Sequence, residues 1–135
     1  MKTHGYQEVD HTADVALRVW GEDFLALLRQ AAKGMYALMG AVPQADSSVR
    51  RVFVIPQGNQ ETVLVDFLNE LLFLAEEDGI MLDHFSFYEG QENIEVTSTG
   101  KKISSQERVI KAATFHDLRV EETTTGCLAT ITFDV

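Results

Sequence analysis

The sequence has few of the features that form disulfide bonds, span a membrane or direct secretion. Its 135 residues include one cysteine, Cys127, which excludes an internal disulfide and suits a reducing compartment. No stretch of about 18 apolar residues is present, so we expect no membrane span. Residues 1–10 lack the apolar segment of a secretory signal, and we therefore expect a cytoplasmic protein.

Basic residues are also scarce. Eleven lysines and arginines stand against 21 aspartates and glutamates, which gives a formal net charge of −10. A protein of that sign repels a phosphate backbone on average, so we expect no tight direct binding of nucleic acid. A cation or a basic protein surface is the better match for a partner, although acidity also serves solubility alone.

Hydrophobic residues make up 45% of the chain, enough for a core, and no repeat or linker divides it. We predict one domain over residues 1–135. Alternating apolar residues from Val15 to Val19 predict a strand, and a helical apolar period follows from Phe24 to Met39. A second strand is predicted over Arg51–Ile55, and a second amphipathic helix carries its apolar stripe from Leu64 to Ala75.

After the second helix the apolar period changes to two. Residues 85–87 and 94–96 predict two strands that turn near Gly90, and residues 118–120 are predicted to pair with a last strand, 127–135. Strand, helix, strand, helix and then a run of strands is the order of an α+β fold. We predict a mostly antiparallel sheet with two amphipathic helices.

A polar cluster precedes the first predicted strand and is the first candidate site. It contains Asp10, His11 and Asp14, with Asp14 on the polar face of that strand. Polar clusters at the mouth of a strand often carry chemistry. The competing interpretation is a turn in which an aspartate caps nearby amides, and from these residues alone that interpretation is favoured.

The end of the chain is the second candidate. Alternation along residues 127–135 places Asp134 on the polar face, beside the terminal carboxylate of Val135, and Val135 itself on the core face. If Asp14 and Asp134 face each other on neighbouring strands, three oxygen groups meet, which suits a hard cation such as Ca²⁺ or Mg²⁺. The alternative is an ordinary solvated terminus.

The second helix supplies a third candidate. Asp66 and Glu70 are four residues apart and share the face opposite the buried stripe. Paired carboxylates can do acid–base work, but a solvated helix face is the commoner explanation. Phe73 lies on the same face, where an aromatic among acids indicates either a contact surface or a neighbouring strand that covers it.

Residues 111–116 supply the fourth candidate. Strand alternation would place Lys111, Ala113 and Phe115 on one face and His116 on the other. His116 could act as a base or a metal ligand. No serine or cysteine at a fixed spacing accompanies it, so a nucleophilic triad is unsupported, and the scattered histidines offer no zinc spacing.

Several of these segments together resemble one protein family. The segments are Val9–Val15, Trp20–Gly21, Leu64–Leu72, Ile110–His116 and Phe133–Val135, and they are similar in kind and order to those of archeases. The resemblance spans nearly the whole chain. It implies an α+β fold built of strand–helix–strand–strand modules.

The resemblance also implies a function. Archeases assist the GTP-dependent RtcB-type RNA ligase in tRNA splicing and RNA repair, by promoting guanylylation of the ligase and its multiple turnover. They are not enzymes themselves. The family's Ca²⁺ site would here use Asp14, Asp134 and Val135.

Other residues are expected in the site or on the partner surface. These are Asp10, His11, Asp66, Glu70, Lys111 and His116. The rival hypotheses are a metal-dependent hydrolase that uses His11 or His116 with Asp14, and an RNA-binding module. The net charge and the absence of a basic, aromatic strand pattern count against the RNA-binding module.

Overall fold

A computed structural model describes residues 3–9 and 14–135 of the chain. Within these residues, two helices and nine strands follow one another. In chain order they are β1 (Gly5–Val9), β2 (Val15–Gly21), α1 (Phe24–Met39), β3 (Val42–Pro43), β4 (Val49–Pro56), α2 (Gln60–Asp78), β5 (Ile80–Glu89), β6 (Asn93–Ser105), β7 (Ala112–Thr114), β8 (Glu121–Thr123) and β9 (Gly126–Asp134). No described helix is both long and apolar enough to span a membrane.

Both helices begin and end on local signals that the sequence contains. The Asp23 side chain caps α1 by accepting a hydrogen bond from the Ala26 N–H at 2.8 Å, and Asn59 caps α2 through the Thr62 N–H at 2.8 Å. Gly40 and Gly79 end the two helices in the left-handed conformation, which glycine adopts without a Cβ penalty. The predicted helices are confirmed.

The first sheet has the strand order β1-β2-β9-β7, and β8 also pairs with β9. All of its ladders are antiparallel. Leu17 and Val19 of β2 lie opposite Ile131 and Ala129 of β9, and all four are buried. This inner face packs on the helices.

The second sheet is organised around the long strand β6. Strand β5 pairs with one side of it, while β4 and then β3 pair with the other, again all antiparallel. The predicted strands at 85–87 and 94–96 and the turn at Gly90 are confirmed. The predicted antiparallel pairing is thus present, divided between two sheets.

The core lies between the two sheets. Helix α1 packs on β1, β2 and β9 of the first sheet and on β5 of the second, and α2 packs on β7 and on β4 and β5. Phe67 of α2 is fully buried and contacts the rings of Phe53, Phe85 and Phe87, at centroid distances of 5.2–6.5 Å. The helices therefore join the two sheets through one apolar core.

Two predictions about strands near the end of the chain are wrong. The strand that pairs with β9 before its last turn is Glu121–Thr123, and Leu118 and Val120 instead pack partly buried against the core. The Val120 N–H is held by the Glu61 carboxylate at 2.7 Å, so it is not free to join β9. Phe115 does not continue β7, which ends at Thr114, because its carbonyl closes a turn with the Leu118 N–H at 3.0 Å.

Val135 is not buried as predicted. Its exposed fraction is 44%, because β9 ends at Asp134 and its pairing with β2 and β7 reaches only Phe133 and Asp134 respectively. Among the residues that the structure describes, no strand pairs with Val135.

Candidate functional site

Asp14 and Asp134 lie at the same end of the first sheet. Val15 of β2 is opposite Phe133 of β9, so the next positions on the two strands are Asp14 and Asp134. Strand alternation places both aspartates on the same face of the sheet as Ala16 and Thr132, opposite to that of Leu17 and Ile131. The sequence could propose this juxtaposition only conditionally, and the ladder between β2 and β9 ends one residue short of each aspartate.

The backbone of Asp134 is held on the β7 side. It pairs with Ala112 of β7, and its carbonyl accepts a hydrogen bond from the Lys111 N–H at 2.8 Å. On the β2 side the ladder ends one residue earlier, at Val15 and Phe133. Lys111, one of the predicted surface residues, is exposed and adjoins Asp134 through its backbone.

His116 follows β7, two residues beyond Thr114 and on the side away from the Ala112–Asp134 pair. The Thr114 hydroxyl donates to the Thr132 carbonyl at 2.9 Å and accepts from the His116 N–H at 3.3 Å. The His116 ring Nε2 lies 3.3 Å from an oxygen of Asp117, and both side chains are largely exposed. Asp117 has a φ of 50°, in the left-handed region that aspartate tolerates better than most residues. Thr114 thus ties the His116 backbone to β9.

Two of the predicted site residues cannot be placed. Asp10 and His11 lie outside the described residues, between Val9 and Asp14 in the chain. Among residues 3–9 and 14–135, no three histidine, cysteine, aspartate or glutamate side chains gather as a metal site.

The two carboxylates at this end of the sheet are of the chemical type that binds a hard cation. Asp14 and Asp134 offer carboxylate oxygens, which Ca²⁺ prefers. Ca²⁺ takes about six to eight oxygens, so this set would supply part of a coordination sphere.

Asp66 and Glu70 do not join this group. Ala113 of β7 is buried and faces α2, whereas the next pair along the ladder, Ala112 and Asp134, faces the other side of the sheet. Asp66 and Glu70 therefore lie on the helix side of the first sheet. They are half-buried and line a groove of about 450 Å³ with Val54 and Phe73.

Asn69, between these two acids, holds helix and sheet together. Its side-chain oxygen accepts from the Ala113 N–H at 2.8 Å, and its side-chain nitrogen donates to the Ala113 carbonyl at 3.2 Å. Nothing local to an amide in a helix indicates that it will pair with a strand 44 residues further along.

A cavity of about 570 Å³ lies on the outer face of the first sheet, away from the two aspartates. Its lining includes Arg18, Trp20, Leu128 and Thr130. Trp20 and Leu128 face each other six residues from Asp14 and Asp134 along their strands.

Comparison with known proteins identifies the family to which this chain belongs. The archease protein family (MTH1598/TM1083) matches residues 6–135, which is nearly the whole chain. The chain belongs to the archease family. It is 28% identical to the archease of Methanosarcina mazei, across 96% of this chain and 95% of that protein, and 25% identical to the archease of Thermococcus kodakarensis, across 90% and 91%.

Solved structures agree with the archease fold. A crystal structure of an archease from Thermotoga maritima, described as a possible chaperone, superposes with a TM-score of 0.73 at 25% identity and covers 96% of both chains. The solution structure of protein 1598 from Methanobacterium thermoautotrophicum superposes with a TM-score of 0.75 at 24% identity and shows the same fold. The predicted α+β archease fold is confirmed.

Proposed function

We propose that this archease is a non-catalytic activator of an RtcB-type RNA ligase in tRNA splicing and RNA repair. It would promote guanylylation of the ligase and allow repeated turnover, using a Ca²⁺ site at Asp14, Asp134 and Val135. Family membership supports the activator role, as does the description of the Thermotoga relative as a possible chaperone. The observation that supports the metal site is the pairing of Val15 with Phe133, because Asp14 and Asp134 are the residues next to them in the chain.

The backbone around these two residues supports the proposed site. Asp134 is held by its pairing with Ala112 and by the Lys111 N–H, and Asp14 directly precedes the β2 ladder. Two carboxylates in adjacent positions repel each other. A bound cation would offset this repulsion, and it would make this end of the sheet one rigid surface.

The activator would work by binding one state of the ligase better than another. The net charge of −10 favours a basic docking surface on the ligase, and a preference for the conformation competent for nucleotide transfer would increase its population. Asp10, His11, Lys111 and His116 are the proposed contributors around the metal site. No covalent bond to this chain is required.

The metal site is tested by calorimetric titration of Ca²⁺ into Asp14→Asn and Asp134→Asn variants. Asp46→Asn, a change of the same kind at an exposed loop position, is the matched control. We expect both site variants to lose most of the Ca²⁺ affinity while the control keeps it. Unchanged binding in both site variants would place the metal elsewhere.

The activator role is tested by ligation assays in which a small amount of this protein is added to its cognate ligase. We expect many rounds of ligation where the ligase alone completes about one, and no ligation or GTP hydrolysis by this protein alone. Hydrolysis by the isolated protein that disappears in His116→Ala would instead support the hydrolase hypothesis.

A further inference from the structure

Within residues 3–9 and 14–135, no strand pairs with the outer edge of β4 in the second sheet. Strand β4 pairs with β6 on one side and is the last strand on the other. One hydrogen bond shows which residues of β4 point their backbone groups towards β6. The Gln57 N–H donates to the Glu92 carbonyl at 2.8 Å and so continues the ladder towards β6. In an antiparallel ladder these bonds involve alternate residues. Gln57 and the other odd-numbered residues of this segment point towards β6. The backbone groups of the even-numbered Val52 and Val54 therefore point away from it.

The two ends of this edge are already blocked. Pro56 has no N–H, and the Arg50 carbonyl accepts a hydrogen bond from the Arg51 guanidinium at 2.8 Å. Val52 and Val54 between them keep two donors and two acceptors for a further strand. Their side chains are 48% and 58% exposed and uncharged, whereas the charged residues of this strand, Arg50 and Arg51, precede them.

The groove beside this edge is apolar and acidic. Val54 and Phe73 contribute apolar surface, and Phe73 is 56% exposed. Asp66 and Glu70 lie one helical turn apart in the same groove, on the α2 side of the sheet. A strand added to β4 would have one row of side chains facing these acids.

We propose that an extended segment of a partner protein, with basic residues alternating with apolar ones, adds to β4 at Val52 and Val54. Its basic side chains lie on Asp66 and Glu70. The backbone pairing supplies affinity, and the acids select for lysine or arginine at every second position. The surface is separate from the Asp14–Asp134 end of the other sheet, so the proposal does not depend on the metal site.

A second copy of this chain is the less suitable occupant. Two copies joined edge to edge by a two-fold axis would bring a second Asp66 and Glu70 to the same interface. The like charges oppose that contact, in a molecule whose net charge is already −10.

The test uses short acetylated peptides of alternating sequence. In one peptide lysine alternates with valine, and in the matched peptide glutamate replaces lysine. We expect the lysine peptide to bind and to slow hydrogen exchange at the Val52 and Val54 amides, as followed by NMR. The glutamate peptide should produce neither effect.

Variants of the groove and the edge sharpen the test. Asp66→Asn combined with Glu70→Gln should weaken binding of the lysine peptide about fivefold, the loss expected for two exposed ion pairs. Glu76→Gln combined with Glu77→Gln removes the same charge from exposed positions further along α2 and should leave binding unchanged. Val54→Pro removes an outward N–H but no bond to β6, and it should also weaken binding.

Three outcomes would overturn the proposal. They are equal binding of the two peptides, full affinity in the Asp66→Asn and Glu70→Gln variant, and slowed exchange at amides other than Val52 and Val54. Protection of Val52 and Val54 that rises with protein concentration, without any peptide, would assign the edge to a second copy instead.

Discussion

Single side chains bound to distant backbone groups connect the elements of this archease. Asn69 links α2 to β7, Glu61 links α2 to the chain at Val120, and Tyr36 links α1 to β5. Each accepts a hydrogen bond from a backbone N–H group, those of Ala113, Val120 and Leu82 respectively. Such residues contribute to stability beyond the area they bury.

Asn69→Ala should therefore destabilise the protein by about 2 kcal/mol, because it removes two hydrogen bonds and leaves the groups of Ala113 without partners. Urea unfolding measures the change. Glu70→Ala on the same helix, which has no such bond to β7, should cost under about 1 kcal/mol. Equal losses in the two variants would contradict the role given to the amide.

Tyr36 should make the stability depend on alkaline pH. Burial raises the pKa of its hydroxyl well above the usual value of about 10, while its oxygen accepts a hydrogen bond from the Leu82 N–H at 3.2 Å. The folded state thus keeps the proton more tightly than the unfolded state. The resulting stability is complete below about pH 10 and is lost as the pH rises above it.

The variant Tyr36→Phe isolates this effect. It should lose about 1–2 kcal/mol at pH 8, because the buried Leu82 N–H has no partner, and the deficit should shrink above pH 10. Urea unfolding at pH 8 and pH 11 measures both values. Tyr88→Phe, at a well-exposed ring, should differ little from the unaltered protein at either pH.

At the scale of elements, β5 and β6 fit closely at one glycine. The pairing of the two strands shifts between Leu82 and His84, and Gly100 lies opposite this irregularity. A Cβ on Gly100 would overlap the carbonyl oxygen of Met81, which is backbone and cannot turn away. The irregularity therefore requires glycine on the facing strand.

Gly100→Ala should accordingly cost about 3 kcal/mol or more, the range of strongly destabilising substitutions. Thr99→Ala, at the exposed neighbouring position, should cost less than about 1 kcal/mol. Thermal and urea unfolding of the two variants would compare them. A Gly100→Ala variant as stable as Thr99→Ala would mean that β5 can move aside.

The helices were predictable because their limits are local. Asp23, Asn59, Gly40 and Gly79 act within one turn of their own positions. Strand β1 was not predicted, since its residues Gly5–Val9 gain their place only by pairing with β2. Long-range pairing decides such segments, and a single sequence does not display it.

The candidate site shows the same division. The oxygen chemistry of Asp14 and Asp134 was predicted from residue type and from the family resemblance, whereas their adjacency depends on the order β2-β9-β7. Val135 was assigned to the core by alternation alone, and the prediction failed because β9 ends first. Periodicity describes a strand but not where its partners stop.

At the scale of the whole molecule, the two proposed interaction surfaces lie on different sheets. The Asp14–Asp134 end belongs to the first sheet, and the Val52–Val54 edge belongs to the second. The helices between the sheets connect them through one core. A cation could therefore stabilise the fold without covering the free edge of β4.

The last prediction joins the metal site to the stability of the whole domain. A ligand that binds only the folded state stabilises it by about 2.7 kcal/mol at a hundredfold excess over its Kd. For a domain of this size, that is an increase in Tm of about 8–10 °C. We expect Ca²⁺ to produce such a shift in calorimetric scans, and Asp14→Asn or Asp134→Asn to remove it.

Without Ca²⁺ the Tm of these variants should equal or exceed that of the unaltered protein, since each removes one of two neighbouring like charges. Asp46→Asn should keep the full shift, and a Tm that does not respond to Ca²⁺ would rule out this site as a stabilising one.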